Sequence, residues 1–309
     1  MSVHQSTDPL LHEFAAEVGH TDAVAVVGNK TRWRVGGSLR PETRLVRAPI
    51  GVVEFVASEM IVRVRAGTEV AELHQELANA GQRTALPERG GTVGGALAVG
   101  ENAFESLGRG LLRDCALQLR YVSAGGETIT VGAPVVKNVT GYNATKLMVG
   151  SLGTLGLFAE VVLRTNPIPP VSRWFRGAAD PTQTRDAVLQ PSCLLWDGTH
   201  SWVLLEGIEA DVDAEAEALG RLAGFDSVAG PPALPPFRLS MTAAQAATFN
   251  SSDPFVASIG VGTVWASSAI TPVLPDHATL EISARLKAEF DPLGRLNPGR
   301  SLTAQPGAS

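Results

Sequence analysis

The chain has 309 residues, 44% hydrophobic and 18% charged, enough apolar content for a proper core in two domains or in one large domain with an inserted piece. Its net charge of −6, with Lys and Arg scattered along the chain, excludes a nucleic-acid surface, which needs a clustered basic face. The two cysteines, Cys115 and Cys193, lie far apart and in no C-x-x-C pattern, so neither an iron–sulfur cluster nor a structural zinc site can be assembled from them. No apolar run approaches the roughly 18 residues of a membrane span, and MSVHQSTDPLLHEF lacks the basic start and apolar stretch of a signal peptide; a cytoplasmic protein is expected.

The first predicted element is an amphipathic helix, Pro9 to Val18, with Leu10, Leu11, Phe14 and Ala15 on one side. A short apolar strand, Ala23 to Val27, runs into the loop Gly28 to Gly37, GNKTRWRVGG. Ile61 to Arg65 alternates apolar and basic residues as a half-buried strand does. A helix follows, with Thr68 as N-cap, Gly81 as stop, and Val70, Leu73, Leu77 and Ala80 facing inward. Leu117, Leu119 and Tyr121 alternate along another strand, Gly125-Gly126 makes a tight hairpin turn, and Thr128 to Val131 returns. Leu157 to Arg164 reads as a core strand and Asn166 to Pro170 as a stiff linker.

Beyond the linker come a strand at Arg173 to Arg176, a helix near Thr182 to Leu189, a hairpin CLLWDGTHSWVLLEG turning at Asp197-Gly198, and a helix Asp211 to Leu222. That β-α-β-β-α order suits a small ferredoxin-like domain. Gly230 to Pro236 is a Pro-rich loop, and Phe255 to Val264 reads as one more strand with a glycine bend. The last helix, Leu280 to Phe290, carries Ile282, Leu286 and Phe290 on one face and stops at Asp291-Pro292.

Glycine is unevenly spent: 14 of the 32 fall between Leu86 and Gly156, an excess that needs a cause. Two loops hold most of the informative ones, PERGGTVGG (Pro87 to Gly95) and GSLGTLG (Gly150 to Gly156); the second closes a short helix that follows an Asn138-x-x-Gly141-Tyr142 turn. Gly and small hydroxyl residues at such bends let consecutive N–H groups converge on a phosphate, so the loops read as a backbone cradle for an anionic cofactor. Taken singly, each loop is as readily an ordinary turn. Arg32 and Arg34 either help neutralise that phosphate or lie on the surface.

Side chains with catalytic chemistry are scarcer. The six histidines, at 4, 12, 20, 74, 200 and 277, make no pair at metal-ligand spacing. His74 reads as core-flanking, His200 as a solvated turn residue and His277 as a surface residue. Asp211, Asp213, Glu215 and Glu217 form the polar face of their helix, and Cys115 reads as packing. No catalytic residue and no metal site is assigned.

The two glycine loops, in this order and about this far apart, resemble the FAD-binding domain of the vanillyl-alcohol oxidase / p-cresol methylhydroxylase (PCMH-type) superfamily. FDPLGRLNPGR, Phe290 to Arg300, resembles the closing motif of the FAD-linked oxidases related to D-lactate dehydrogenase and glycolate oxidase. KNVTGYNATKLMVGSLGTLG and CLLWDGTHSWVLLEG extend the likeness over nearly the whole chain, and within that group it is similar to the glycolate oxidase FAD-binding subunits E.

The resemblance implies an α+β protein. It would have a PCMH-type FAD-binding domain of two α/β subdomains over 1–170, its N-terminal part trimmed, and a ferredoxin-like α+β cap over 171–276. A C-terminal helix and NPGR segment, 277–309, would return to the FAD domain. By the same resemblance, cofactor contacts would come from Gly28, Asn29, Lys30 and Thr31 in the first loop, and from Pro87, Gly91, Thr92, Val93, Gly94, Gly95 and Gly100 in and after the second. Asp114, Asn138, Gly141 and Tyr142 would follow, then Gly150, Ser151, Gly153, Thr154, Gly156 and Leu157, with Asn297 near the flavin ring. Noncovalent FAD is implied, because the first loop holds no histidine and Cys115 lies outside the surroundings in which relatives bind flavin covalently.

Relatives that oxidise 2-hydroxy acids directly carry Gly-Asp-Gly-Asn-x-His and a later Glu-His segment, and neither occurs here. The implied function is therefore that of the FAD-binding subunit of a glycolate-oxidase-like 2-hydroxy-acid dehydrogenase complex, carrying electrons from glycolate-to-glyoxylate oxidation. Its partners would be a larger FAD-containing catalytic subunit and an iron–sulfur subunit, any membrane association being peripheral and through them. Two alternatives stay open: a stand-alone FAD-dependent oxidoreductase of unknown small substrate, and a flavin-free scaffold subunit.

Overall fold

The computed structural model describes residues 8–134, 144–222, 224–268 and 276–301. They fall into two units: Met1–Glu101, Leu112–Asn166 and Leu274–Ser309 make the first, Asn102–Leu111 and Pro167–Val273 the second.

The first unit contains a parallel pair, β1 (Val24–Val26) and β2 (Arg44–Val46). It also contains a six-stranded sheet of β3 (Val52–Val56), β4 (Ile61–Arg65), β5 (Gln82–Thr84), β6 (Ala116–Val122), β7 (Thr128–Gly132) and β8 (Leu157–Pro167). Its order is β3-β4-β8-β6-β7, with β5 also on β8. β8 is central because Leu157 to Leu163, apolar but for Glu160, can be covered on both faces. Every residue from Leu157 to Leu163 is buried, Glu160 included, and that carboxylate is held by Arg63 at 3.0 Å and Arg120 at 3.2 Å. Val64, Leu119, Tyr121 and Val161 join one core with Val70, Leu73 and Leu77 of the helix Val70–Ala78.

Three local expectations are corrected in this unit. Thr68 does not cap the helix Val70–Ala78: Glu69 holds the N-cap position without a side-chain bond to the helix N–H groups, and the Thr68 hydroxyl instead accepts from Gly51 N at 2.9 Å. In the helix Pro9–Val18 the inward face is Leu11, Phe14 and Val18, and Leu10 points out. The last helix runs His277–Phe290 from an Asp276 cap, and none of its residues is fully buried; Ile282 is 57% exposed, and Phe290 in the final turn is the position that packs on the core.

The second unit is one antiparallel sheet of β9 (Val171–Gly177), β10 (Cys193–Trp196), β11 (Ser201–Gly207), β12 (Asp226–Val228), β13 (Phe237–Ser240), β14 (Phe255–Ser258) and β15 (Thr263–Ala266). Its order is β12-β9-β11-β10-β14-β15-β13. The first four, with the helices Pro181–Ala187 and Glu209–Gly220 between them, have the ferredoxin-like succession and order. Leu194, Val203 and Leu205 pack with Val212 and Leu219 of the second helix. The single strand expected over Phe255 to Val264 is a hairpin, because Gly260 and Gly262 take φ of +83° and +88° and turn β14 back into β15.

The helix Pro181–Ala187 begins with a capping box, Asp180 accepting from Thr182 N at 2.8 Å and Gln183 N at 2.9 Å. Asp180→Ala should therefore lower the stability of this unit by about 1 kcal/mol in denaturant melts. A change within error would show that the cap contributes nothing.

Candidate functional site

An open cleft of about 370 Å³ lies within the first unit, lined by the loop after β1, the turn after β4, the start of the helix Val93–Val99, the turn before β8, and Asn297 and Arg300. β1 positions the first loop and is itself stitched to the C-terminal motif: Val24 N donates to Arg295 O at 2.9 Å, and Asn297 N to Val24 O at 2.8 Å. After Val27 the ladder stops. The N–H groups of the next five residues, Gly28 to Arg32, donate to no acceptor among the described residues. Lys30 sits at φ +58° among residues of negative φ, a backbone alternation that turns successive N–H groups toward one concavity.

Arg32 ties this loop to the second one. Its Nε meets buried Glu101, and its Nη1 donates to Gly90 O at 2.8 Å and to Thr31 Oγ1 at 3.1 Å. Its Nη2 is buried without a partner. Arg34, by contrast, is exposed and does not line the cleft, so the two arginines weighed together separate here. Asn29 Nδ2 donates to Glu69 Oε1 at 2.8 Å. In the second loop Thr92 caps the helix Val93–Val99, its hydroxyl accepting from Gly95 N at 3.2 Å. A Cβ on Gly28 would come within 2.8 Å of that hydroxyl, so the two loops approach through the missing side chain.

The third loop is held from both sides. Gly150 N donates to Leu97 O at 2.9 Å and Leu152 N to Ala98 O at 2.7 Å, while Leu152 O accepts from Asn297 Nδ2 at 2.8 Å. Leu152, Gly153 and Asn297 all take positive φ, at 56°, 66° and 44°. Arg300 Nη1 donates to Val35 O at 3.0 Å and also meets Gly37 O, and its guanidinium stands 5.0 Å from the Trp33 ring centroid. Burial pulls its pKa below the ordinary arginine value.

Of the residues singled out in the sequence, Gly28, Asn29, Lys30, Thr31, Thr92, Gly94, Gly95, Gly153, Leu157 and Asn297 line this one cleft. Pro87, Gly91, Val93, Gly100, Gly150, Ser151, Thr154 and Gly156 are not among its lining residues. Val93 is core, Gly100 closes the helix Val93–Val99, and Gly156 makes room for the Tyr121 ring. Asp114 also lies off the cleft, paired with Lys146 at 2.5 Å. Asn138, Gly141 and Tyr142 are outside the described residues. Arg47, Glu69, Glu72, Phe158 and Arg300 line the cleft without having been singled out; Glu69 and Glu72 lie at the N-cap and in the first turn of the helix Val70–Ala78.

The remaining candidates are structural. His74 Nε2 bonds Thr84 Oγ1 at 2.7 Å. His200 is not freely solvated as expected: it lies against Arg176 Nη2 at 3.1 Å, and its backbone N–H donates to Asp197 Oδ1 at 2.7 Å. Burial raises both cysteine thiols, Cys193 strongly, which makes them poor nucleophiles.

Bare main-chain donors, an orphaned buried guanidinium nitrogen and glycines at close approaches are what a dinucleotide diphosphate needs, so the residues present fit a flavin dinucleotide. The comparisons bear on the class: residues 13–148 match the FAD binding domain family, which supports FAD as the cofactor, and the fold is α+β. It is 29% identical to the glycolate oxidase subunit GlcE of Escherichia coli over 222 residues, covering 68% of this chain and 63% of GlcE. It is 35% identical to the glycolate oxidase subunit GlcD of Bacillus subtilis over 82 residues, 26% of this chain and 17% of GlcD. A D-lactate dehydrogenase of Anaerostipes hadrus is 30% identical over 120 residues, 38% of this chain and 25% of that one. The chain thus spans less than two thirds of these relatives. Among solved structures, alkyldihydroxyacetonephosphate synthase in one crystal form gives a TM-score of 0.61 at 15% identity, covering 93% of this chain and 73% of that one, a likeness of fold.

Proposed function

We propose that the cleft of the first unit holds FAD noncovalently. The N–H groups of Gly28 to Arg32 and the Arg32 guanidinium would take the diphosphate, with Gly94, Gly95, Gly153 and Asn297 completing the walls. The observation that carries this is the row of five uncommitted N–H groups beside a buried, half-satisfied arginine. A flavin bound there supplies hydride and electron chemistry; the chain's own residues bind it, orient it and neutralise its charge.

We further infer that the chain is the FAD-binding subunit of a glycolate-oxidase-like 2-hydroxy-acid dehydrogenase complex in the cytoplasm. Its partners are a larger flavin-containing subunit that oxidises the substrate and an iron–sulfur subunit. Support comes from the similarity to GlcE and GlcD. No helix among the described residues is long and apolar enough to cross a membrane. The purified chain should be yellow, release FAD on denaturation, and keep its flavin oxidised when glycolate is added anaerobically, until the partner subunits are supplied. Colourless protein that takes up no added FAD would overturn the cleft assignment; bleaching by glycolate without partners would make the chain a stand-alone oxidoreductase.

A further inference from the structure

The ammonium of Lys287, in the last turn of the helix His277–Phe290, gathers three acceptors from three different turns: Asp291 Oδ2 at 2.5 Å, Thr154 O at 2.8 Å and Leu296 O at 3.2 Å. An ammonium has three N–H donors, so the set is complete. The Asp291 side chain is fully buried and is itself spent on the C-terminal motif, accepting from Arg295 N at 3.0 Å and Leu296 N at 2.8 Å. Thr154 follows Gly153, and Leu296 precedes Asn297; Gly153 and Asn297 both line the cleft, as do Leu152 and Arg300 of the same two segments. Lys287 does not line the cleft.

We propose that Lys287 is a positioning residue for the cofactor: by fastening the Gly153 turn and the Asn297 turn to one point, it sets the spacing of the cleft wall they form together. This rests on the reading of the cleft as the FAD site. Without the ammonium, Thr154 O loses its donor, the buried Asp291 carboxylate loses its ion-pair partner, and the Asn297 to Leu152 bond is left to link the two turns. Arginine is no substitute, because a planar guanidinium cannot place one nitrogen at the meeting point of three acceptors.

The test uses the full chain with Lys287→Met and Lys287→Arg, titrated with FAD by flavin fluorescence and examined by visible circular dichroism of the bound flavin. Both variants should bind FAD roughly tenfold more weakly, with an altered visible spectrum reporting a shifted ring environment. Lys287→Arg keeps a positive charge against Asp291, so it decides the matter if Lys287→Met does not fold. A helix-end lysine with a merely stabilising role would lower the melting temperature of both variants and leave affinity and spectrum as in the wild type, which overturns the inference. Wild-type protein that takes up no FAD overturns the site reading along with it; wild-type binding with unaltered variants overturns this inference alone.

Discussion

Replacing Gly153 with valine is expected to weaken FAD binding by roughly a hundredfold or more, which is about 2.7 kcal/mol, while most of the fold survives. Two independent causes act at this position. Gly153 sits at φ +66°, where a β-branched residue is strained by about 1–3 kcal/mol. A Cβ there would also run into Asn297 Nδ2, displacing the side chain that holds Leu152 O at 2.8 Å. Both disturbances fall on the cleft wall, so the loss should appear in flavin fluorescence titrations far more than in far-ultraviolet circular dichroism. Gly156→Ala is the contrasting case, since its Cβ meets the Tyr121 ring in the core, and it should cost stability first. A Gly153→Val protein that binds FAD like the wild type would remove the third loop from the site.

The second large effect is expected at Arg295. Its guanidinium is almost fully buried and donates to three carbonyls: Nε to Asp22 O at 2.9 Å, Nη1 to Ala124 O at 3.0 Å and Nη2 to Val18 O at 2.8 Å. These close the end of the first helix, the entry to β1 and the β6–β7 turn onto the C-terminal motif. Arg295→Met leaves the Asp22 and Ala124 carbonyls without their donor and Val18 O with Arg44 Nη2 alone, at 3.1 Å, and should destabilise the first unit by about 3–5 kcal/mol in urea melts. Added FAD should recover part of that loss, because a ligand bound only by the folded state stabilises it by mass action. A loss below about 1 kcal/mol would mean that water replaces the arginine at little cost.

The sequence made the glycine loops legible because they answer a local question, where the backbone must bend without a Cβ. It could not say which glycines face a ligand and which face a neighbour. Gly28 and Gly153 line the cleft, whereas Gly156 admits the Tyr121 ring and a Cβ on Gly132 would strike Leu117 O, yet all are the same residue. The Thr68 cap failed for a related reason: its hydroxyl found Gly51, 17 residues upstream, and no helix-start rule can see that far. Glu69 and Glu72 stayed hidden because acidic residues at a helix start are a common feature of helices that bind nothing. The ferredoxin-like half of the second unit was readable from its alternation of strand and helix, while β12 and β13 are too short to announce themselves.

The bond from Arg295 to Asp22 spans 273 residues. During synthesis, β1 and its loop leave the ribosome long before the motif that braces them exists, and the whole of Pro167–Val273 is made in the interval. The second unit can therefore fold while the first, its eight strands already made, still lacks its C-terminal helix and the motif that braces β1. On the proposed reading of the cleft, flavin capture is expected only once Asn297 and its neighbours have joined the wall, after a loop closure of that length.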